Sequence, residues 1–234
     1  MSLFFLQVLI DSAKIKDSLA KVAMLAAQQK ENLWDVLIKG GPLMIPLAIL
    51  LIVAIFVFIE RYIAIKKASK SDDNFMSIIR DHIVTGNITA ARSLAKNTPT
   101  AIARMIDKGL QRVGKPIEAI ERSMENIGKL ELYKMEKNTS VLSVVGYIAP
   151  LFGFLGTIAG MFQLFYNIAS TGEYSISAIA GGIYVKMISS ASGLIIGIIA
   201  YVAYRYLNSQ IDKSTHKMEA ASAEFIDILQ EPTR

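Results

Sequence analysis

Three stretches of the chain are almost free of charge, and they restrict its fold more than any other feature. Gly40 to Ile59 is 20 residues without a charged side chain, Asn138 to Gly172 is 35, and Tyr174 to Tyr204 is 31 with Lys186 as its single charge. A helix crosses the hydrocarbon core of a bilayer in about 20 residues at about 1.5 Å each. The first stretch fits one crossing. The other two exceed one crossing but are too short for two with a turn, so each predicts one long helix that extends past the bilayer or tilts within it. The expectation is an all-α integral membrane protein with transmembrane helices at 40–63, 139–170 and 176–206. Hydrophobic residues form 53% of the 234, with a mean hydropathy of +0.41, where a soluble domain lies near or below neutral.

Basic residues give the orientation. Between the first two stretches, Glu60 to Asn138 holds 15 of the 25 lysines and arginines, whereas "STGEYS" between the last two holds none. The positive-inside rule then makes 64–138 a cytoplasmic helical domain and 171–175 a short periplasmic loop. Residues 207–234 become a cytoplasmic helical tail, and the N-terminus is periplasmic. The arm at 1–39 carries five lysines, so the contrast between the two loops decides the orientation. Within the arm, Ile15, Leu19, Val22 and Leu25 follow helical spacing and predict an amphipathic segment on the membrane surface. A cleaved leader is the competing reading, opposed by the lack of basic residues before the apolar stretch and by Asp11 within it.

Punctuation in the middle segment is helical. Gly86 marks a turn before a capped alanine-rich helix, Pro99 falls early in the next, and Gly114 and Pro116 separate that helix from its successor. From Pro116 no breaker is evident before the second apolar stretch, which predicts one helix running from the cytoplasm into the membrane. In the tail, Ile211, Met218, Phe225 and Leu229 keep heptad-like spacing.

Small residues recur at three and four along both long apolar stretches: Gly146, Gly153, Gly156 and Gly160 in one, Gly182, Gly193 and Gly197 in the other. Such stripes let membrane helices approach closely, so helix packing is their expected role. Thr157 lies in the first stripe, and Lys186, Ser189 and Ser190 in the second. A threonine hydroxyl in a membrane helix often bonds a carbonyl one turn back. A charge at mid-helix costs about 2.5–3.5 kcal/mol on insertion scales. Lys186 therefore either snorkels or pairs locally, or faces a polar lumen. The three apolar stretches contain no Asp, Glu or His. A proton relay needs such a group, so the chain conducts nothing or a partner supplies the acid.

"GYIAPLFGFLGTIAGMFQLF" and "IAGGIYVKMISSASGLIIGIIAYVAYRYL" resemble the second and third membrane helices of the ExbB/TolQ family, a relative of MotA, and "GGPLMIPLAILLIVAIFVFIERY" is similar to the first. The resemblance is strongest to ExbB. It implies a homopentamer in the inner membrane of a Gram-negative cell, enclosing a lumen lined by the second and third helices. It further implies an ExbD-like single-span partner bearing an intramembrane aspartate, a TonB-like protein, and use of the proton motive force to energise TonB-dependent outer-membrane transport. The family's two lumen hydroxyls would fall on Thr157 and Ser190, and its third-helix glutamate on Val185, with Lys186 beside it; Thr157, Ser189, Ser190 and Lys186 are then the residues expected to line the ion path. Phospholipid is the remaining expected contact. The runners-up are a TolQ-like subunit of a Tol-Pal envelope or gliding-type motor, and a non-conducting membrane scaffold.

Other classes are poorly served. No nucleophile–base set, metal cluster or phosphate loop is evident, so no enzyme activity, metal or cofactor is expected. Without cysteine, thiolate chemistry is excluded. The net charge of +5 comes with apolar blocks flanked by basic residues, which argues for a membrane rather than nucleic acid.

Overall fold

The computed structural model describes residues 40–70, 74–172 and 175–230, and the amphipathic segment expected at 1–39 lies outside them. Seven helices make up the described residues: α1 (Met44–Ala68), α2 (Phe75–Val84), α3 (Ile88–Asn97), α4 (Ala101–Leu110), α5 (Ile117–Glu136), α6 (Thr139–Thr171) and α7 (Ile176–Gln230). No strand occurs among these residues. Three helical stretches, in α1, α6 and α7, are long and apolar enough to cross a membrane. The protein is thus an all-α membrane protein. At 55 residues, α7 is about 80 Å long, far more than one crossing uses.

Local sequence explains the short helices. The Asn87 side chain accepts a hydrogen bond from the Ala90 N–H at 3.1 Å and caps α3, after Gly86 turns the chain at φ +75°. Thr100 caps α4 by accepting from the Ala103 N–H at 3.2 Å. Pro99 consequently stands just outside α4 rather than inside it, because the threonine hydroxyl takes the cap position. Pro116 precedes the first residue of α5.

The expected unbroken helix into the second apolar stretch is instead two helices. Lys137 is extended and Asn138 is left-handed at φ +65°, which separates α5 from α6. Asparagine tolerates that conformation better than most residues. A break leaves carbonyls without their intrahelical donors. Arg61 of α1, 7% exposed, donates to the carbonyls of Lys134 at 3.2 Å and Lys137 at 3.0 Å, and Thr139 donates to that of Glu136 at 2.7 Å. Arg61 also pairs with its neighbour Glu60, so its charge stays compensated. One guanidinium therefore ties the end of a membrane helix to the elbow between two others.

Below the elbow, α2, α4 and α5 pack against the far half of α7, and α3 packs on α2 and α4. Phe225 of α7 is fully buried and lies with Met124 against Gly109, where a Cβ would come within 2.6 Å of either side chain. Ile211 and Met218 are also buried, so the heptad-like seam of the tail is filled by helices of its own chain. Glu131 of α5, 2% exposed, bonds Arg104 of α4 and Lys134 at 2.7 Å. Burial pushes the Glu131 carboxyl up, yet the Arg104 and Lys134 hydrogen bonds together outweigh it and hold it below the ordinary carboxylate range.

Two outcomes are expected from thermal unfolding in detergent. Arg61→Ala removes both carbonyl contacts and lowers stability by about 2 kcal/mol, or on the order of 5 °C in midpoint. Arg61→Lys keeps the charge but not the forked geometry and falls between. For Glu131, a carboxyl depressed in the fold contributes stability that is complete above its unfolded value of about 4.3 and is lost as the pH falls through the folded value. The midpoint gap between the wild-type protein and Glu131→Gln is therefore widest near neutrality and closes in acid.

Candidate functional site

In the membrane stretch α6 and α7 run antiparallel with their backbones in contact. Of the buried residues of α6, Ala149, Gly153, Gly156 and Gly160 face α7, and Leu142 and Val145 are buried further along the helix. A Cβ on Gly193 would lie 2.5 Å from the Ala149 carbonyl oxygen and 2.9 Å from the Gly153 Cα. From the other side, a Cβ on Gly153 would meet the Ser189 carbonyl at 2.9 Å. Gly146 faces Tyr201 and Gly197 at one end of the ladder, and Gly182 faces Leu164 at the other. These contacts are backbone against backbone at the centre, where no side chain can turn aside.

Pro150 adds a feature that the spacing of small residues does not announce. It sits inside α6 and has no N–H, so the carbonyl of Gly146 loses its partner one turn on. Both the Pro150 ring and that carbonyl face Gly197, where a Cβ would fall 2.6 Å from the ring and 2.9 Å from the oxygen. In hydrocarbon an unpaired carbonyl is costly. Here it is covered by the neighbouring helix rather than by lipid.

The polar residues occupy one level of this pair. Lys186 is half-buried, and its methylenes lie across Gly160, where any Cβ would overlap them. Its ammonium group has no carboxylate partner among the described residues. Ser189 is 1% exposed, donates to the Lys186 carbonyl at 2.9 Å, and would sit 2.7 Å from a Cβ on Gly156. Its hydroxyl lies inside the helix pair, where the absence of a side chain on Gly156 leaves room for it. Thr157 and Ser190 are half-buried beside the seam, and Thr157 donates to the Phe154 carbonyl at 2.6 Å. Rotation of about 100° per residue puts Thr157 and Ser190 each about 60–70° from the seam, on the same flank of an antiparallel pair. Lys186 is closer to the seam itself. Val185, beside it, is half-buried.

The sequence of this helix pair and of the helices that continue from it matches a known family. Residues 97–220 match the model of the MotA/TolQ/ExbB proton channel family, more than half of the chain. The chain belongs to the MotA/TolQ/ExbB family. Among its relatives, a putative biopolymer transport protein, ExbB-like 1, of Synechocystis is 28% identical over 207 residues, covering 87% of this chain and 81% of that protein. The biopolymer transport protein ExbB of Neisseria gonorrhoeae is 32% identical over 101 residues, 43% of this chain and 44% of that protein. A putative ExbB homolog of Methanothermobacter thermautotrophicus is 23% identical over 182 residues, 77% of this chain and 64% of that one. The MotA/TolQ/ExbB match includes all four polar residues and every glycine of the α6–α7 ladder, and it omits α1.

Two glycines of the ladder are expected to respond differently to alanine. Gly193→Ala meets backbone that cannot yield and costs about 1–3 kcal/mol as overpacking. Gly160→Ala meets only the Lys186 stem, which can swing away, and leaves the midpoint of thermal unfolding in detergent nearly unchanged.

Proposed function

We propose that the protein is the channel-forming subunit of an ExbB-type motor in the inner membrane, with its N-terminus periplasmic and its C-terminus cytoplasmic. In this reading several copies, five by the family's resemblance, surround a lumen bordered by α6 and α7. An ExbD-like single-span helix in the lumen carries the aspartate that accepts and releases protons. A TonB-like protein then passes the work to outer-membrane transport. The relatives named for biopolymer transport support this task.

One observation carries the reading. The described parts of α1, α6 and α7 within the apolar stretches hold one ammonium group, Lys186, and no acid, with two hydroxyls on one flank at a similar level. An ammonium without a carboxylate in a bilayer is expensive and favours a polar surrounding or an acid from elsewhere. Thr157 and Ser190 would offer hydrogen bonds to waters or to the partner's carboxylate. Lys186 would favour its ionised form, since a nearby cation lowers a carboxyl's pKa.

A non-conducting scaffold is the second reading, favoured by the hydroxyls of Thr157 and Ser189, which both bond carbonyls of their own helix. Proton flux into vesicles containing the complex co-purified from native membranes separates the two. On the channel reading Thr157→Ala with Ser190→Ala lowers flux severalfold while the complex still assembles. Lys186→Met raises the partner acid's pKa, so the pH at half-maximal flux moves upward. No flux above that of protein-free vesicles leaves the scaffold, whereas flux unchanged in the double variant and in Lys186→Met overturns the assignment of these residues to the lumen.

A further inference from the structure

At the end of the spans opposite residues 171–175, α1 and α7 diverge and leave a groove of about 430 Å³. Its upper rim is aromatic. Tyr62 of α1 stacks on Phe58 at a centroid distance of 6.1 Å, and Tyr206 of α7 lies 6.3 Å from Tyr62 and 6.4 Å from Phe58. Tyrosines gathered where an apolar stretch ends mark the membrane–water boundary. They fix the depth of the groove: it opens at the level of lipid headgroups.

Below the rim the lining is strongly basic. Lys66 enters from α1 and Lys70 from just past its end, Lys213 and Lys217 enter from α7, and no carboxylate lines the groove among the described residues. Along α1, Lys66 is about 6 Å beyond Tyr62, and along α7 Lys213 is about 10 Å beyond Tyr206. The headgroup layer is about 5–8 Å deep on each side of a bilayer, and a lysine stem can reach back several ångströms towards it. None of the four lysines is in an ion pair among the described residues, and Lys66 rests over the Tyr62 ring at 5.7 Å. Asp72 and Asp73, next along the chain, lie outside the described residues.

A second observation points to a ligand. Ser69 lines the groove, and its buried hydroxyl has no hydrogen-bond partner. Buried polar atoms are nearly always paired, so an unpaired hydroxyl among four unpaired ammonium groups calls for an acceptor. The acceptor must be anionic, multidentate and present at the membrane surface.

We propose that this groove binds the phosphodiester headgroup of an anionic phospholipid, with Lys66 and Lys213 on the phosphate and Lys70 and Lys217 adding attraction from the aqueous side. The acyl chains lie along the exposed apolar face of α1, where Ile52, Phe56, Ile59 and Ile63 are each at least half exposed. A zwitterionic lipid gains less, because its own cation is repelled. The occupant thereby wedges α1 against α7 beside the Arg61 contact, without touching the polar level of the α6–α7 pair.

Native mass spectrometry of the full-length protein in detergent tests this. Dioleoyl phosphatidylglycerol, dioleoyl phosphatidylcholine and inorganic phosphate are titrated separately. The wild-type protein is expected to retain phosphatidylglycerol in preference to phosphatidylcholine. Replacing Lys66, Lys213 and Lys217 by Gln together weakens that retention by at least about tenfold. The same three positions changed to Arg keep it, as does Lys96→Gln with Lys108→Gln on α3 and α4. Should the triple Gln variant fail to fold, Lys213→Gln alone shows a smaller loss in the same direction. Equal retention of both lipids, or a preference unaffected by the Gln substitutions, overturns the proposal. Saturation by inorganic phosphate without lipid preference also overturns it, assigning the groove to a free anion. Dissociation of an oligomer with lipid retention intact does so too, since the lysines would then hold acids of a second copy.

Discussion

The contact between the α6 and α7 backbones is the constraint on which the remaining structure depends. Lipid offers no hydrophobic drive between helices, so the pair is held by close packing and by what that packing covers. With Gly193 against Ala149 and Gly153, the two axes come as near as helices can, and everything at the same level must be small or lie flat. Ser189 is drawn into the seam, Lys186 is laid across Gly160, and the carbonyl freed by Pro150 is sheltered by Gly197. Local polarity is set by an apolar packing rule.

A second consequence follows from the length of α7. It continues without interruption from the glycine ladder to the tail, whereas the neighbouring helix is jointed at Lys137–Asn138. α7 thus links the membrane level and the far helices as one continuous element, while α5 and α6 meet at a joint. Arg61 holds that elbow through two carbonyls and Glu131 holds α4 on α5, so the joint is stiffened by polar groups on one side only. The apolar seam of Ile211, Met218 and Phe225 does the rest.

Uncharged length and small-residue spacing made the helical class and the α6–α7 stripe legible, because a bilayer penalises charge and unpaired backbone so heavily that few alternatives survive. The elbow was not legible. Asn138 is an ordinary polar residue at the edge of an apolar run, and its left-handed conformation is stabilised by Arg61, which is 77 residues earlier. A long-range cap leaves no periodic trace. The placement of Ser189 was hidden for a related reason: spacing allows the polar flank as readily as the seam, and the missing side chain of Gly156 is what leaves room for it in the seam. The lysine groove needs two helices at once, each with an unremarkable pair of basic residues past its apolar stretch.

Lys186 brings these strands together. A half-buried lysine whose stem lies across a glycine is tolerable only if its charge is solvated or answered, and the apolar stretches of this chain contain no acid to answer it. Moving the charge to the headgroups requires the stem to leave Gly160, which would open the side of the seam that it now fills. Packing and electrostatics therefore pull in opposite directions on one side chain. A carboxylate delivered from outside the chain removes the conflict without disturbing the ladder, since it answers the charge where the stem already lies.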